Sequence, residues 1–148
     1  MIVEHATCVD WAGTGILLRG PSGGGKSDLA LRLIDAGAQL VADDYVTIRV
    51  CSDRVSASAP EEISGLIEVR GIGIIRLPCC PETVIGLIVD LVPSENMERM
   101  PEAASEVLEG VAVDRVLLDP FEISCVAKIR MAMIKFAPAP KTASGGNG

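Results

Sequence analysis

Gly20-Pro21-Ser22-Gly23-Gly24-Gly25-Lys26-Ser27 sets three kinds of chemistry side by side. The glycines let the backbone bend until successive N–H groups point at one anion. Lys26 adds a positive charge that suits the β- and γ-phosphates of a nucleotide, and the Ser27 hydroxyl is a ligand for Mg²⁺. The pattern is G-x-x-x-x-G-K-[ST], a phosphate loop. A structural glycine turn is the plain alternative, and context argues against it. A strand-like run, Gly15 to Arg19, leads into the loop, and a helical run leads out. That helix presents the positive end of its dipole to the anion. ATP and Mg²⁺ are therefore the expected ligands, and Asp28, just past the loop, completes the candidate binding segment.

Carboxylates come next. Asp43 and Asp44 end a short apolar run, Leu40 to Ala42, soon after the helix. An Asp in this place holds Mg²⁺ in many phosphate-loop proteins. Adjacent strand residues face opposite ways, so only one of the two is expected to face the loop unless the chain kinks there. The plain alternative is a solvated turn. Glu68 and Arg70 alternate within Ile67-Glu68-Val69-Arg70-Gly71-Ile72-Gly73-Ile74-Ile75 and so share one face. That face is either solvent or a site, and Gly71 and Gly73 point to a bend or a close backbone approach.

These groups need a scaffold. Residues 7–11 and 15–19 read as two strands joined by a tight turn at Ala12-Gly13-Thr14. Lys26 to Asp35 reads as a helix with Leu29, Ala30, Leu33 and Ile34 on its apolar face and Gly37 at its C-terminal cap. Leu40–Ala42, Val46–Val50, Leu66–Leu77, Gly86–Val92 and Val111–Leu118 read as strands. Asn96 to Glu109 reads as loop plus short helix, broken by Pro101. Residues 125–136 read as a closing strand or helix, and periodicity does not decide between them. The expected fold is α/β, with a sheet packed around the phosphate-loop helix. Residues 1–136 form one domain, and residues 137–148, rich in Pro, Ala, Ser and Gly, form a disordered tail.

Bulk properties set the class. The chain has 148 residues, 49% hydrophobic and only 3% aromatic, enough for one aliphatic core. A net charge of −7 argues against nucleic acid, whose phosphates call for clustered Lys and Arg. The five cysteines are odd in number, lack zinc or C-x-x-C spacing, and read as reduced, buried thiols. No early apolar run escapes Glu4, His5 and Asp10, so no signal peptide is expected. The most apolar later stretch, Val84 to Val92, is far shorter than the roughly 20 residues of a membrane span. A cytoplasmic protein is expected.

Three stretches together resemble the bacterial HPr kinase/phosphorylase family. They are Gly20–Ser27 with Asp28, then Leu40-Val41-Ala42-Asp43-Asp44, then Glu68-Val69-Arg70-Gly71-Ile72-Gly73-Ile74-Ile75. The last is similar to the family signature E-[IV]-R-G-L-G-I, which is far more specific than a phosphate loop alone. The resemblance covers roughly residues 4–118 and suggests the short, single-domain form. It implies a core like that of phosphoenolpyruvate carboxykinase. It also implies phosphoryl transfer from ATP to a serine of HPr, a small phosphocarrier protein, with phosphate-dependent dephosphorylation as a companion activity. Long members are hexamers, so a homo-oligomer is implied.

By position, the resemblance makes Lys26 the phosphate-binding lysine and Ser27 and Glu68 ligands of Mg²⁺. Asp44 becomes the general base, with Asp43 its Mg²⁺-side or orienting neighbour. His5 matches the family histidine before the first strand, although Ala6 stands where a Gly is usual; a lone His is otherwise a packing or surface residue. Arg115 matches an arginine in a D-R-hydrophobic context. The family's R-P-G-R-N stretch, which serves dephosphorylation, has no counterpart between Phe121 and Ile134. Two other readings compete: a small-molecule kinase or NTPase, and a non-catalytic ATP-gated binding module. Neither the N-K-x-D motif of a GTPase nor an arginine-rich lid is present.

Overall fold

The computed structural model describes residues 1–23, 25–93, 95 and 104–136. Its centre is three parallel strands: β3 (Thr14–Arg19), β9 (Thr83–Leu91) and β11 (Val111–Leu118). Sheet order on the β3 side continues through β2 (Thr7–Trp11) to β4 (Gln39–Ala42). On its other edge β9 pairs first with β6 (Arg54–Ser58), then with β11. Beyond β6 lie β5 (Val46–Cys51) and β1 (Ile2–Glu4), and β10 (Ala104–Leu108) flanks β11. Changing partners along β9 curls this mixed sheet. A separate hairpin pairs β7 (Leu66–Val69) with β8 (Gly73–Arg76).

The central strands are apolar on both faces because both faces are covered. Side chains alternate along a strand. On β3, Ile16 and Leu18 enter one core cluster while Leu17 enters the other. On β9, Leu87 and Val89 oppose Ile88 in the same way. Helix α1 (Lys26–Asp35) packs Leu29, Ala30 and Leu33 into the first cluster, and α2 (Cys125–Lys135) adds Cys125, Ile129 and Ala132. The spacing of the α2 residues, i, i+4 and i+7, is helical, which resolves the open choice for residues 125–136.

Helix α1 has the expected bounds, and its end shows why. The N–H of Gly37, at φ 117°, bonds the carbonyl of Ile34, and that of Ala38 bonds Leu33. This is a Schellman stop, which favours a residue free to take positive φ.

Three sequence expectations need correction. Residues 104–108 are strand, not loop or helix; the rest of that segment and the 137–148 tail lie outside the described residues. Val107 and Leu108 are held there by β11 through a two-residue turn, Glu109-Gly110, with positive φ at both, the geometry that matches strand twist. Leu66–Leu77 is a hairpin rather than one strand, with Gly71 and Gly73 at positive φ around its bend. The cysteines are free thiols, but only Cys8 and Cys125 are buried; Cys51 is exposed. Strand β6 had no clear sequence signal, because it is Arg, Val, Ser, Ala, Ser, poor in β-formers, and β1, Ile-Val-Glu, is only three residues long. Among the described residues, no helix is long and apolar enough to cross a membrane.

Candidate functional site

The loop from Gly20 to Gly25 joins the end of β3 to the start of α1, at the carboxyl edge of the parallel strands. Gly25 caps the helix at φ 98°, a conformation that strains any residue with a Cβ. Gly24 lies outside the described residues. Ser22, Lys26, Ser27, Asp44, Glu68 and Phe121 are among the residues around a cavity of about 600 Å³. Asp28 and Arg70 also reach it. Lys26 is 6% exposed, and its ammonium bonds the carbonyls of Gly20 at 2.8 Å and Pro21 at 3.1 Å. Burial lowers its pKa, while Asp44 and Asp43 pull it back up. The lysine thus rests on carbonyls of its own loop.

Both carboxylates face this region, because the chain kinks. Asp44 sits at φ 75°, a left-handed conformation that Asp adopts more readily than most residues. The kink is fastened on both sides. The Ala6 N–H bonds the Asp44 carbonyl at 3.1 Å, and the Tyr45 N–H bonds the Asp43 carbonyl at 2.9 Å. The two side chains then differ sharply. Asp43 is buried. Its Oδ1 accepts the Ser27 hydroxyl at 2.6 Å and the Thr7 hydroxyl at 3.0 Å, and its Oδ2 accepts the Glu68 N–H at 3.3 Å. Asp44 has 61% of its side chain exposed and meets His5 Nε2 at 2.8 Å. The His5 ring rests against Tyr45, centroids 5.3 Å apart.

The structure thus gathers Lys26, Ser27, Asp43, Asp44, Glu68 and His5 around one end of the loop. It does not gather Arg115. That guanidinium bonds Asp90 at 2.5 Å, 3.7 Å from Glu106, and it does not line the cavity. Arg19, the residue before the loop, is clamped by the same Asp90 and Glu106 through four hydrogen bonds of 2.6–2.9 Å. The D-R-hydrophobic context was local, whereas the side chain's partner was set by β9 and β10. Burial alone would raise the Asp90 pKa, but bonds from Arg19 and Arg115 outweigh it and hold the carboxyl below its usual range. Sequence reasoning missed Thr7, fully buried, which holds Asp43 and accepts the Asp44 N–H at 3.3 Å. A Thr in an apolar strand carries no signal of such a task. It also missed Phe121, an exposed ring on the cavity rim.

Glu4 borders the Arg19 cluster at a cost. Its Oε1 is buried with no hydrogen-bond partner among the described residues. Burial raises its pKa most; Arg19 opposes, and Glu106 and Asp90 add to the rise. A carboxyl raised on folding weakens the fold wherever it is ionised, and the penalty disappears as pH falls through the folded pKa toward the unfolded value of about 4.3. Glu4→Gln should therefore melt higher than wild type at pH 7 and lose that margin near pH 4. Thermal melts at both pH values test this, and no gain at pH 7 would refute it.

Mg²⁺ favours oxygen ligands and is usually held by one or two carboxylates, nucleotide phosphates and water. Asp43, Ser27 and Glu68 fit that need. The described residues form no closed cage of three His, Cys, Asp or Glu, and Mg²⁺ carried on a nucleotide requires none.

Comparison with known proteins identifies the family. The family model "HPr Serine kinase C-terminal domain" matches residues 1–119. The chain is 50% identical over 74 residues to the HPr kinase/phosphorylase of Clostridium tetani, covering 50% of this chain and 24% of that protein. It is 39% identical over 128 residues to the HPr kinase/phosphorylase of Leptothrix cholodnii, covering 78% of this chain and 39% of that protein. The chain therefore spans well under half of these curated relatives. Among solved structures, the Hpr(Ser) kinase/phosphatase from Coxiella burnetii superposes with a TM-score of 0.78 at 28% identity, over 91% of this chain and 99% of that one.

Proposed function

This chain belongs to the HPr serine kinase C-terminal domain family, and from that premise we propose that it is a protein-serine kinase that moves a phosphoryl group from ATP to a serine of an HPr-like phosphocarrier protein. The carrying observation is Asp44: an exposed carboxylate, fixed by His5, beside a buried lysine on a phosphate loop. A protein serine can reach it from solvent.

In this reading Lys26 leaves the Gly20 and Pro21 carbonyls for the phosphates, and the loop N–H groups hold their oxygens. Ser27, Asp43 and Glu68 would hold Mg²⁺, which would neutralise charge on the transferring group. The serine hydroxyl forms the new O–P bond while its proton passes to Asp44, and the bond to the departing diphosphate breaks with its electron pair leaving on ADP. His5, 2.8 Å from it, orients Asp44. Residues 1–136 supply this catalytic unit, of the phosphoenolpyruvate-carboxykinase-like phosphate-loop type. The phosphate-dependent reverse reaction stands outside this proposal, because the R-P-G-R-N stretch that serves it in the family has no counterpart between Phe121 and Ile134.

Incubation of the purified chain with Mg-ATP and HPr from the same organism should add one phosphate to HPr, read by intact mass, and Lys26→Ala should add none. A folded HPr left unmodified by a chain that binds ATP would sink the proposal. We also propose a cytoplasmic homo-oligomer. Ile123, Met131 and Ile134, on and just before α2, are 102%, 57% and 72% exposed, an apolar surface that a lone chain leaves in water. Light scattering that reports only monomer at working concentration would refute the assembly.

A further inference from the structure

A second cavity, about 300 Å³, adjoins the phosphate site. Pro21, Leu91, Val92, Pro93, Pro120 and Phe121 make most of its wall, with Asp119 and Glu95 at its edge. It lies beyond the ends of β3, β9 and β11, which are mutually parallel. In such sheets the crevice outside the carboxyl ends of the strands is where ligands bind. Two residues join it to the phosphate site. Pro21 is part of the loop itself, and Phe121 lines both cavities.

Phe121 is 72% exposed, yet its place is fixed. Its N–H donates to Asp119 Oδ1 at 2.8 Å. The Arg32 guanidinium, itself tied to Asp28 at 3.1 Å, donates to the neighbouring Pro120 carbonyl. A Cβ added at Gly25 would meet Pro120 at 3.2 Å and Phe121 at 3.4 Å, so this segment packs directly on the loop. An apolar ring held in water at the border of a polar and an apolar cavity is a ready stacking face.

We propose that this groove holds the base of the nucleotide, stacked on the Phe121 ring, while the phosphates lie over the loop. The assignment rests on the phosphate-loop reading above. A nucleotide has an anionic end and a flat apolar end, and the two adjoining cavities differ in the same way.

Binding of Mg-ATP and of inorganic tripolyphosphate with Mg²⁺, measured by calorimetry on wild type, Phe121→Ala and Phe121→Trp, separates the two readings. Phe121→Ala should weaken ATP about 5- to 150-fold, the usual worth of base–aromatic stacking, and leave tripolyphosphate nearly unchanged. Phe121→Trp should keep ATP affinity, and its added fluorescence should be quenched by ATP but not by tripolyphosphate. Equal losses for both ligands in Phe121→Ala would mean that the ring only shapes the loop, and would overturn the assignment. So would no loss for either, which would leave the groove to a partner's side chain. Wild type that binds neither ligand would overturn the phosphate site itself, and the base site with it.

Discussion

Asp44→Asn is expected to slow serine phosphorylation about 10²- to 10⁴-fold, the range a positioned general base supplies, with ATP affinity little changed. An amide keeps the shape and one acceptor oxygen, so the His5 contact at 2.8 Å can survive. What it cannot do is take the serine proton. Stability should hold as well, because most of this side chain is already in water. Single-turnover appearance of phosphoserine at saturating Mg-ATP is the right readout, since it isolates transfer from product release. A rate within about threefold of wild type would show that the proton goes elsewhere, and would remove Asp44 from the role. His5→Gln should give a smaller loss, because it acts on the base and not on the serine.

The glycine-rich loop and the helix after it were legible because their information is local. A few consecutive residues carry the bend, the charge and the hydroxyl, and the helix that follows has its own stop signal at Gly37. Asp43 and Asp44 were legible as candidates but not as a pair. Strand alternation sends neighbours to opposite faces, and nothing in the composition marks Asp44 as the residue that breaks the alternation with a positive φ. Thr7 and His5 reach the carboxylates only because β2 pairs antiparallel with β4, Cys8 opposite Ala42. A register between segments so far apart in the chain leaves no trace in either one. The same holds for Arg115. Its local context suggested a site, while its actual partners are Asp90 on β9 and Glu106 on β10. Strand β10 itself lay in a segment that read as loop plus short helix, because its pairing with β11, not its propensity, makes it a strand. The general lesson is physical: motifs closed by backbone geometry within one turn can be read from their own residues, whereas groups joined by sheet register, such as His5 and Asp44, were reached only through the family resemblance.

Asp43→Ala should do what Asp44→Asn does not: lower stability and activity together. Asp43 is 6% exposed and accepts three hydrogen bonds, from Ser27, Thr7 and the Glu68 backbone. Removing the carboxylate leaves a fully buried hydroxyl at Thr7 and a part-buried N–H without that acceptor. Hydrogen bonds to a charged group contribute about 1.5–3 kcal/mol each in net terms. Desolvation of the carboxylate offsets part of this gain, so a loss of about 2 kcal/mol is the expected result in urea unfolding. The functional loss has its own cause. Asp43 joins Ser27 on α1 to Glu68 on β7, and so spaces all the groups assigned to Mg²⁺. Assayed well below its melting point, the variant should need about 10- to 100-fold more Mg²⁺ for half-maximal transfer, the usual effect of losing a group that holds or orients a metal ligand. Asp43→Asn divides the two effects. Its oxygen can still accept from Ser27 and Thr7, but its NH₂ would oppose the Glu68 N–H. It should recover part of the stability while keeping most of the Mg²⁺ defect. A variant that unfolds early but shows wild-type Mg²⁺ dependence would reduce Asp43 to a brace between strand and helix, and would leave Ser27 and Glu68 to hold the metal alone.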